Sequence, residues 1–455
     1  MAVASRAARG WSSFSVLYGV LSLCGCLLSV LLFFPGIMSS DTSDVLHQAI
    51  SGVWSDWHSP FYTFVFSLLW PAKFGPAAML LLNCTLLWLA IYFLADSSRR
   101  RFGWISLVFF AVPFFPALVY MPGFIWDISL HSVVWLLAFA VIYRSVQVRG
   151  EISTAASVVA IALVVAGVLV RQNGWFASLP LVFMALPSTL NPKKRGALVC
   201  LVFLTLPLIW SAFGRIAHAT QSHAAHSIIT YDLGAMSAIE GRNLYPGVWS
   251  PPQSQSITGE CFERDAKARA NDNGWDIYSW GRCAFVTEAL NGQHIFGTAT
   301  LVRAWVHAIL SNPAAYLGAR ANFFETFMLS RNSLPIVSSG LSNDQAGYPM
   351  LHPDRLAGLA TAIGKFRNSP IFSPLTWFCV AMILAGLTLF LARMSSGVRR
   401  LGLPLAFSSL IWMLTYVPFG VAYDFRYVFW AVLASLVCAI VMICELIRSR
   451  RKLSR

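Results

Sequence analysis

"PFYTFVFSLLWPAK", residues 60–73, is an apolar run opened by a proline and closed by another proline and a lysine; whether it crosses a membrane decides the topology of the chain. Its 13 residues from 60 to 72 fall well short of the ~20 that a helix needs to span hydrocarbon. Pro60 suits a first helical turn, and Pro71 and Lys73 stop the run. The stretch therefore reads as an interfacial or re-entrant helix, not a span.

Around it, the 455 residues are 57% hydrophobic and only 11% charged, with a mean hydropathy of +0.64. Soluble domains carry roughly 25% charged residues, so this composition identifies an integral membrane protein. The net charge of +14 would suggest nucleic acid in a soluble chain. Here the basic residues sit in short clusters between apolar runs, the pattern of topology signals, and no nucleic-acid partner is expected. Most cysteines (Cys24, Cys26, Cys84, Cys200, Cys379, Cys438 and Cys444) lie inside apolar runs and read as packing residues.

The clusters are Arg6 and Arg9; Arg99 to Arg101; Arg144 and Arg149; Lys193 to Arg195; Arg393, Arg399 and Arg400; and Arg448 to Arg455. If all are cytoplasmic, an even number of crossings separates each from the next. Counting residues 60–72 as a span would put Arg99 outside; removing it makes every later cluster agree. Spans then fall near 14–34, 76–95, 103–120, 128–143, 153–170, 174–190, 197–214, 372–392, 401–420 and 427–447. The first is too long and apolar for a signal h-region and lacks a small-residue cleavage site before Pro35, so it is expected to be retained.

The expected fold is thus an all-α polytopic membrane protein of about 10 transmembrane helices, with both termini cytoplasmic. It divides into a transmembrane core over 1–214 with an acidic first outer loop at 35–75, an outer region over 215–370, and C-terminal transmembrane helices over 371–455. Only Asp96, Glu151 and Glu445 are placed inside, and the other carboxylates collect on the outer face. In the outer region, Cys261 and Cys283 could form a disulfide suited to an oxidising periplasm, though two cysteines alone do not establish it. Residues 298–329 have helical periodicity broken at "SNP" and read as helices along the membrane surface.

The first outer loop, "SSDTSDVLHQ", sets Asp41, Asp44 and Gln48 on one face of a helix beginning near Ser39. One reading makes a carboxylate here a general base; another makes Asp41 an N-cap and Asp44 a first-turn acid. Capping lowers a carboxylate pKa and weakens it as a base, so one residue does not serve both roles well. Asp56 and His58, in "SDWHSP", could orient a sugar hydroxyl or join Asp41 around a divalent ion, while Trp57 and His58 also suit interfacial anchoring. No metal ligand is assigned. Asp127 opens a span and could simply cap it. Arg171 and Asn173 occupy a tight turn between apolar spans, and Arg426 lies in "YDFRY" near Asp424. An arginine so placed either snorkels to headgroups or faces a polar cavity. His218, His223 and His226 fall on an expected surface helix without an identifiable third zinc ligand. No phosphate-binding loop, nucleotide fingerprint, serine elbow or HExxH is present.

Together these features resemble the GT-C superfamily of integral membrane glycosyltransferases, of the bacterial mannosyltransferase or arabinosyltransferase kind, which use polyprenyl-phosphate-linked sugars. The residues that carry the resemblance are the acidic first loop, the "WD" at Asp127, "LVRQNGWFASLPL", "WVHAILSNPAAYLGAR" and "YDFRY". "SDWHSP" is similar to the "DWHPP" of bacterial members, with Ser59 in place of the first proline. The resemblance implies a core of seven spans and an active site at the outer leaflet. It implies Asp41 as catalytic acid with Asp44 in reserve, Asp127 as a second acid, and Arg171 or Arg426 on the donor phosphate. The implied partners are a polyprenyl-phosphate sugar donor, a periplasmic glycan, lipid or protein acceptor, and the bilayer of a cell inner membrane. No cofactor is assigned, and a divalent metal stays open. A transporter or flippase of polyprenyl-linked glycans is the alternative, but transport predicts polar groups spread through the bilayer depth, whereas these acids gather at one face. A structural subunit with an inactive fold is a third reading.

Overall fold

The computed structural model describes residues 13–187, 189–263, 265–269, 274–330, 341–391 and 395–453. Arg6, Arg9, Arg393 and Arg455 lie outside them. Among the described residues every regular element is helical, and extended pairing is limited to isolated bridges of Ile37 with Phe124 and Ser55 with Thr220. The chain is an all-α polytopic membrane protein. Among the described residues, seven helices are long and apolar enough to cross a bilayer: Ser15–Phe33, Ala77–Arg99, Asp127–Arg149, Pro192–Ile216, Pro374–Leu391, Val398–Phe419 and Phe425–Ile447. At ~1.5 Å per residue, a helix of 23 residues such as Asp127–Arg149 reaches about 34 Å.

The other three expected crossings are made of shorter pieces. Residues Gly103–Phe114 form a 3-10 helix with Pro113 inside it, entered through Gly103 at φ +58°. Thr154–Val170 is a helix of 17 residues, and Ser178–Ala185 has only 8. Residues 60–72 do not make a span: helix Pro60–Ser67 is 8 residues long, and a short turn of helix follows at Pro71–Phe74.

Charged contacts define two faces. At one, Asp96 accepts from Ser15 Oγ at 3.0 Å and pairs with Arg99 at 3.4 Å and Arg144 at 3.2 Å. Gln147 donates to Glu445 at 2.9 Å, and Arg400 to the Gly150 carbonyl at 3.3 Å. The start of the first helix and the ends of the Ala77, Asp127 and Phe429 helices therefore lie together, as the even-crossing condition requires. At the opposite face the ends marked by Asp41, Asp127, Arg171 and Arg426 meet.

Beneath that second face lies a layer of rings. Trp135, Trp412 and Trp430 are fully buried, and His131, one turn below Asp127, stacks on Trp412 at 4.7 Å. Trp135 Nε1 donates to Val164 O at 3.0 Å and Trp412 Nε1 to Tyr427 O at 2.7 Å. Close approach here depends on Gly167, where a Cβ would lie 2.2 Å from Trp135 Nε1. The Pro192–Ile216 helix, by contrast, exposes Leu201, Leu204 and Leu208, the surface a lipid-facing helix presents.

Candidate active site

Helix Ser40–Ser51 begins with a reciprocal cap: Thr42 N donates to Ser39 Oγ at 3.4 Å and Ser39 N to Thr42 Oγ1 at 3.3 Å. Ser39, not Asp41, is the N-cap, so the Asp41 carboxylate is left to face outward from the first turn. Trp126 Nε1 donates to Ser39 Oγ at 2.9 Å, and Thr42 Oγ1 to Ile125 O at 2.7 Å. These bonds tie the start of this helix to the segment just ahead of Asp127.

Two ion pairs stand side by side there. Arg426 Nη1 lies 3.1 Å from Asp41 Oδ2, and its Nε 2.8 Å from Asp424 Oδ2. Arg171 Nη1 contacts both oxygens of Asp127 at 2.7 Å. Asp127 does not cap its helix; Trp126 holds that position, and the carboxylate accepts the Ile128 N–H at 2.6 Å as well as Arg171. The Tyr427 ring sits between the guanidinium groups, 4.9 Å from Arg171 and 5.4 Å from Arg426, and Trp126 underlies Arg426 at 4.8 Å. Arg171 and Arg426 are 15% and 19% exposed whereas Asp41 is 40% exposed: the cations are recessed and the acid is reachable. Half-buried arginines on aromatic faces present a fixed fork suited to phosphate oxygens.

The remaining expected residues flank this cluster. Asp44 accepts from Gln48 Nε2 at 2.7 Å and lies 3.9 Å from His58 Nε2. Asp56 accepts the Ser222 N–H at 2.5 Å and so faces the outer region. Asn173 neighbours Tyr416, as Arg171 does. Asp56 and His58 thus have separate partners, and among the described residues no three His, Cys, Asp or Glu side chains converge to hold a metal ion. The helix expected at the surface begins only at His226, with His223 in the preceding turn at φ +55°, and it is buried along most of its length.

Several contributors escaped sequence reading. Asn343, buried, accepts from Met38 N at 2.9 Å and donates to Gly36 O at 2.8 Å, gripping the backbone just ahead of Asp41. On the other side, Arg320 donates to Gly420 O at 2.8 Å, Trp275 N to Val421 O at 2.6 Å and Ser330 Oγ to Tyr423 O at 3.2 Å. Gly274 (φ +66°) allows that approach, since a Cβ there would lie 2.1 Å from Val421 O. Residues from the 215–370 segment therefore hold both the Asp41 and Arg426 segments. These polar residues have no local signature; their partners are distant in sequence. Cys261 and Cys283 are joined in a disulfide with Cα atoms 5.7 Å apart.

No family model and no curated protein matches this chain. Among solved structures it is similar to the Archaeoglobus fulgidus oligosaccharyltransferase tethered by a disulfide bond to an acceptor peptide containing the NVT sequon. The identity is 13% and the TM-score 0.38, over 94% of this chain and 49% of the other, so the chain spans about half the length of that structure.

Proposed function

We propose that this protein is a membrane glycosyltransferase of GT-C type that moves a sugar from a polyprenyl-phosphate donor to an acceptor on the face bearing Asp41. The observation that carries the reading is the Asp41–Arg426 pair at 3.1 Å, set beside the Asp127–Arg171 pair at 2.7 Å. A reachable carboxylate next to two recessed guanidinium groups at the mouth of a helical bundle is what transfer from a lipid phosphate requires.

In this mechanism the donor phosphate takes Arg426 and Arg171 as partners. Engaging Arg426 releases Asp41 from its ion pair, so the base becomes available only once the donor is in place. The acceptor hydroxyl loses its proton to Asp41, its oxygen bonds to the anomeric carbon, and the carbon–oxygen bond to phosphate breaks. Polyprenyl phosphate departs with its charge held by the arginines, and the anomeric configuration inverts. Asp127 keeps Arg171 in position, and Asp424 does the same for Arg426.

The charge distribution supports a cytoplasmic location for the basic face and both termini. The Cys261–Cys283 disulfide supports an oxidising compartment on the other side, as at a bacterial inner membrane facing the periplasm. The test is transfer by the purified protein from a panel of radiolabelled polyprenyl-phosphate sugars to a crude envelope acceptor. Label in the acceptor fraction is expected. No transfer from any donor, with labelled lipid instead translocated across a reconstituted bilayer, would replace this reading with transport.

A further inference from the structure

Next to Asp41, along the same helix, a cleft of about 470 Å³ opens between residues Asp44 to Ser55 and Thr220. Its frame is rigid. Thr220 N donates to Trp54 O at 2.8 Å and Asp56 N to Thr220 O at 3.0 Å. Gln48 is tied at both ends of its amide: Oε1 accepts from Ser55 N at 2.9 Å, while Nε2 donates to Asp44 at 2.7 Å and Ser55 Oγ at 3.2 Å. Gln48 thus fixes Asp44 at the rim without being available itself.

The lining combines an indole, a carboxylate, an imidazole and hydroxyls: Trp54, Asp44, His47, Ser51 and Thr220. Trp54 is held edge-on to Phe64 at 6.4 Å, and its Nε1–H is shielded from solvent without a partner among the described residues. Val53, at the edge, is 70% exposed.

We propose that this cleft is the acceptor-sugar subsite and takes a pyranose ring, a reading that rests on the transferase assignment and extends it. A pyranose presents an apolar face of C–H groups and a rim of hydroxyls, which match an aromatic side chain and a carboxylate–imidazole–hydroxyl rim. The donor phosphate is unsuited here, because Asp44 repels it and no arginine or lysine lines the cleft. The volume fits an isolated ring with its solvation, within the range of small-ligand sites. Residues three apart on a helix have Cβ atoms about 5–6 Å apart, so a ring held by Asp44 delivers a hydroxyl to Asp41. The geometry gives the acids distinct tasks: Asp41 receives the proton, and Asp44 orients the acceptor.

The test uses the full-length protein in nanodiscs, saturation-transfer NMR with a panel of methyl pyranosides, and the transfer assay run in parallel. Wild type is expected to saturate at least one glycoside, with the effect falling at least fivefold in Trp54→Ala and in Asp44→Asn. In transfer, the acceptor KM should rise tenfold or more while the donor KM stays within twofold. Trp54→Phe, which keeps a smaller ring against Phe64, guards against misfolding and should give an intermediate loss. Equal saturation in wild type and all three variants, or a loss confined to the donor KM, would overturn the subsite while leaving the transferase intact. Trp54-dependent saturation without transfer from any donor would keep the subsite and refute the transferase.

Discussion

Asp41 can turn its carboxylate to Arg426, 3.1 Å away, because Ser39 caps the helix, and this division of labour is where residue-scale chemistry begins. The spacing of Asp41, Asp44 and Gln48 along one helix was legible in "SSDTSDVLHQ", but not which residue caps it, since Ser39 and Asp41 are both good N-caps. The structure resolves this through Thr42, whose hydroxyl closes the reciprocal bond. Replacing Ser39 by alanine is expected to cost about 1 kcal/mol of stability and also to free the Trp126 indole that donates to it; thermal unfolding in detergent measures the first effect. Arg426 donates through Nη1 to Asp41, lies beside Asp424 and rests on the Trp126 and Tyr427 rings, a planar arrangement that an ammonium cannot copy. Arg426→Lys should therefore lose roughly 10²-fold in transfer rate even though its charge is kept, as read from single-turnover transfer of labelled donor.

At the scale of elements, the outer region behaves as a frame whose centre is the buried pair of Asp232 and Arg320, 2.7 Å apart, with Trp305 Nε1 on the second carboxylate oxygen at 2.9 Å. Burial raises the Asp232 carboxyl above its ordinary range, and the adjacent Arg320 offsets only part of that. Arg320→Met leaves an uncompensated acid inside and is expected to cost about 3–5 kcal/mol. Adding Asp232→Leu should restore much of that loss, a comparison that chemical denaturation can make. Helix His226–Glu240 is docked at its start by His226, whose Nδ1 accepts the Gly297 N–H at 3.2 Å. Burial, and secondarily the neighbouring His223, hold the His226 imidazole below its usual pKa. The unfolded chain binds that proton more readily, so this contact stabilises at neutral pH and weakens as pH falls below about 6.5. Protection of the amides at the start of this helix, after correction for the intrinsic exchange rate, should fall as pH drops below about 6.5, and His226→Gln should flatten the dependence. Helix periodicity made Ala299–Ser311 and Pro313–Leu329 readable, whereas helix His226–Glu240 starts later than the segment with His218 and His223 suggested. The 3-10 character of Gly103–Phe114 was not readable, because an apolar run of the right length looks like a span until Pro113 and the turn at Gly103 are given their backbone cost.

For the whole molecule, the distribution of charge carried most of the information. Parity of the basic clusters removed residues 60–72 from the spans, and the contacts of Asp96 with Arg99 and Arg144 place those helix ends together. What parity could not supply was pairing between distant segments. Asp41 and Arg426 are 385 residues apart, and nothing local to either marks the other as its partner; the same holds for Asn343 and the backbone at Gly36. The folded bundle joins these segments, and the outer region keeps them in register. The most direct test of this account compares transfer by wild type, Asp41→Asn and Asp44→Asn, each titrated against acceptor. The account predicts that Asp41→Asn loses roughly 10²- to 10⁴-fold at every acceptor concentration, while Asp44→Asn is impaired mainly through a raised acceptor KM. Full turnover by Asp41→Asn, with activity lost instead in Asp44→Asn, would contradict it and move the base one turn along the helix.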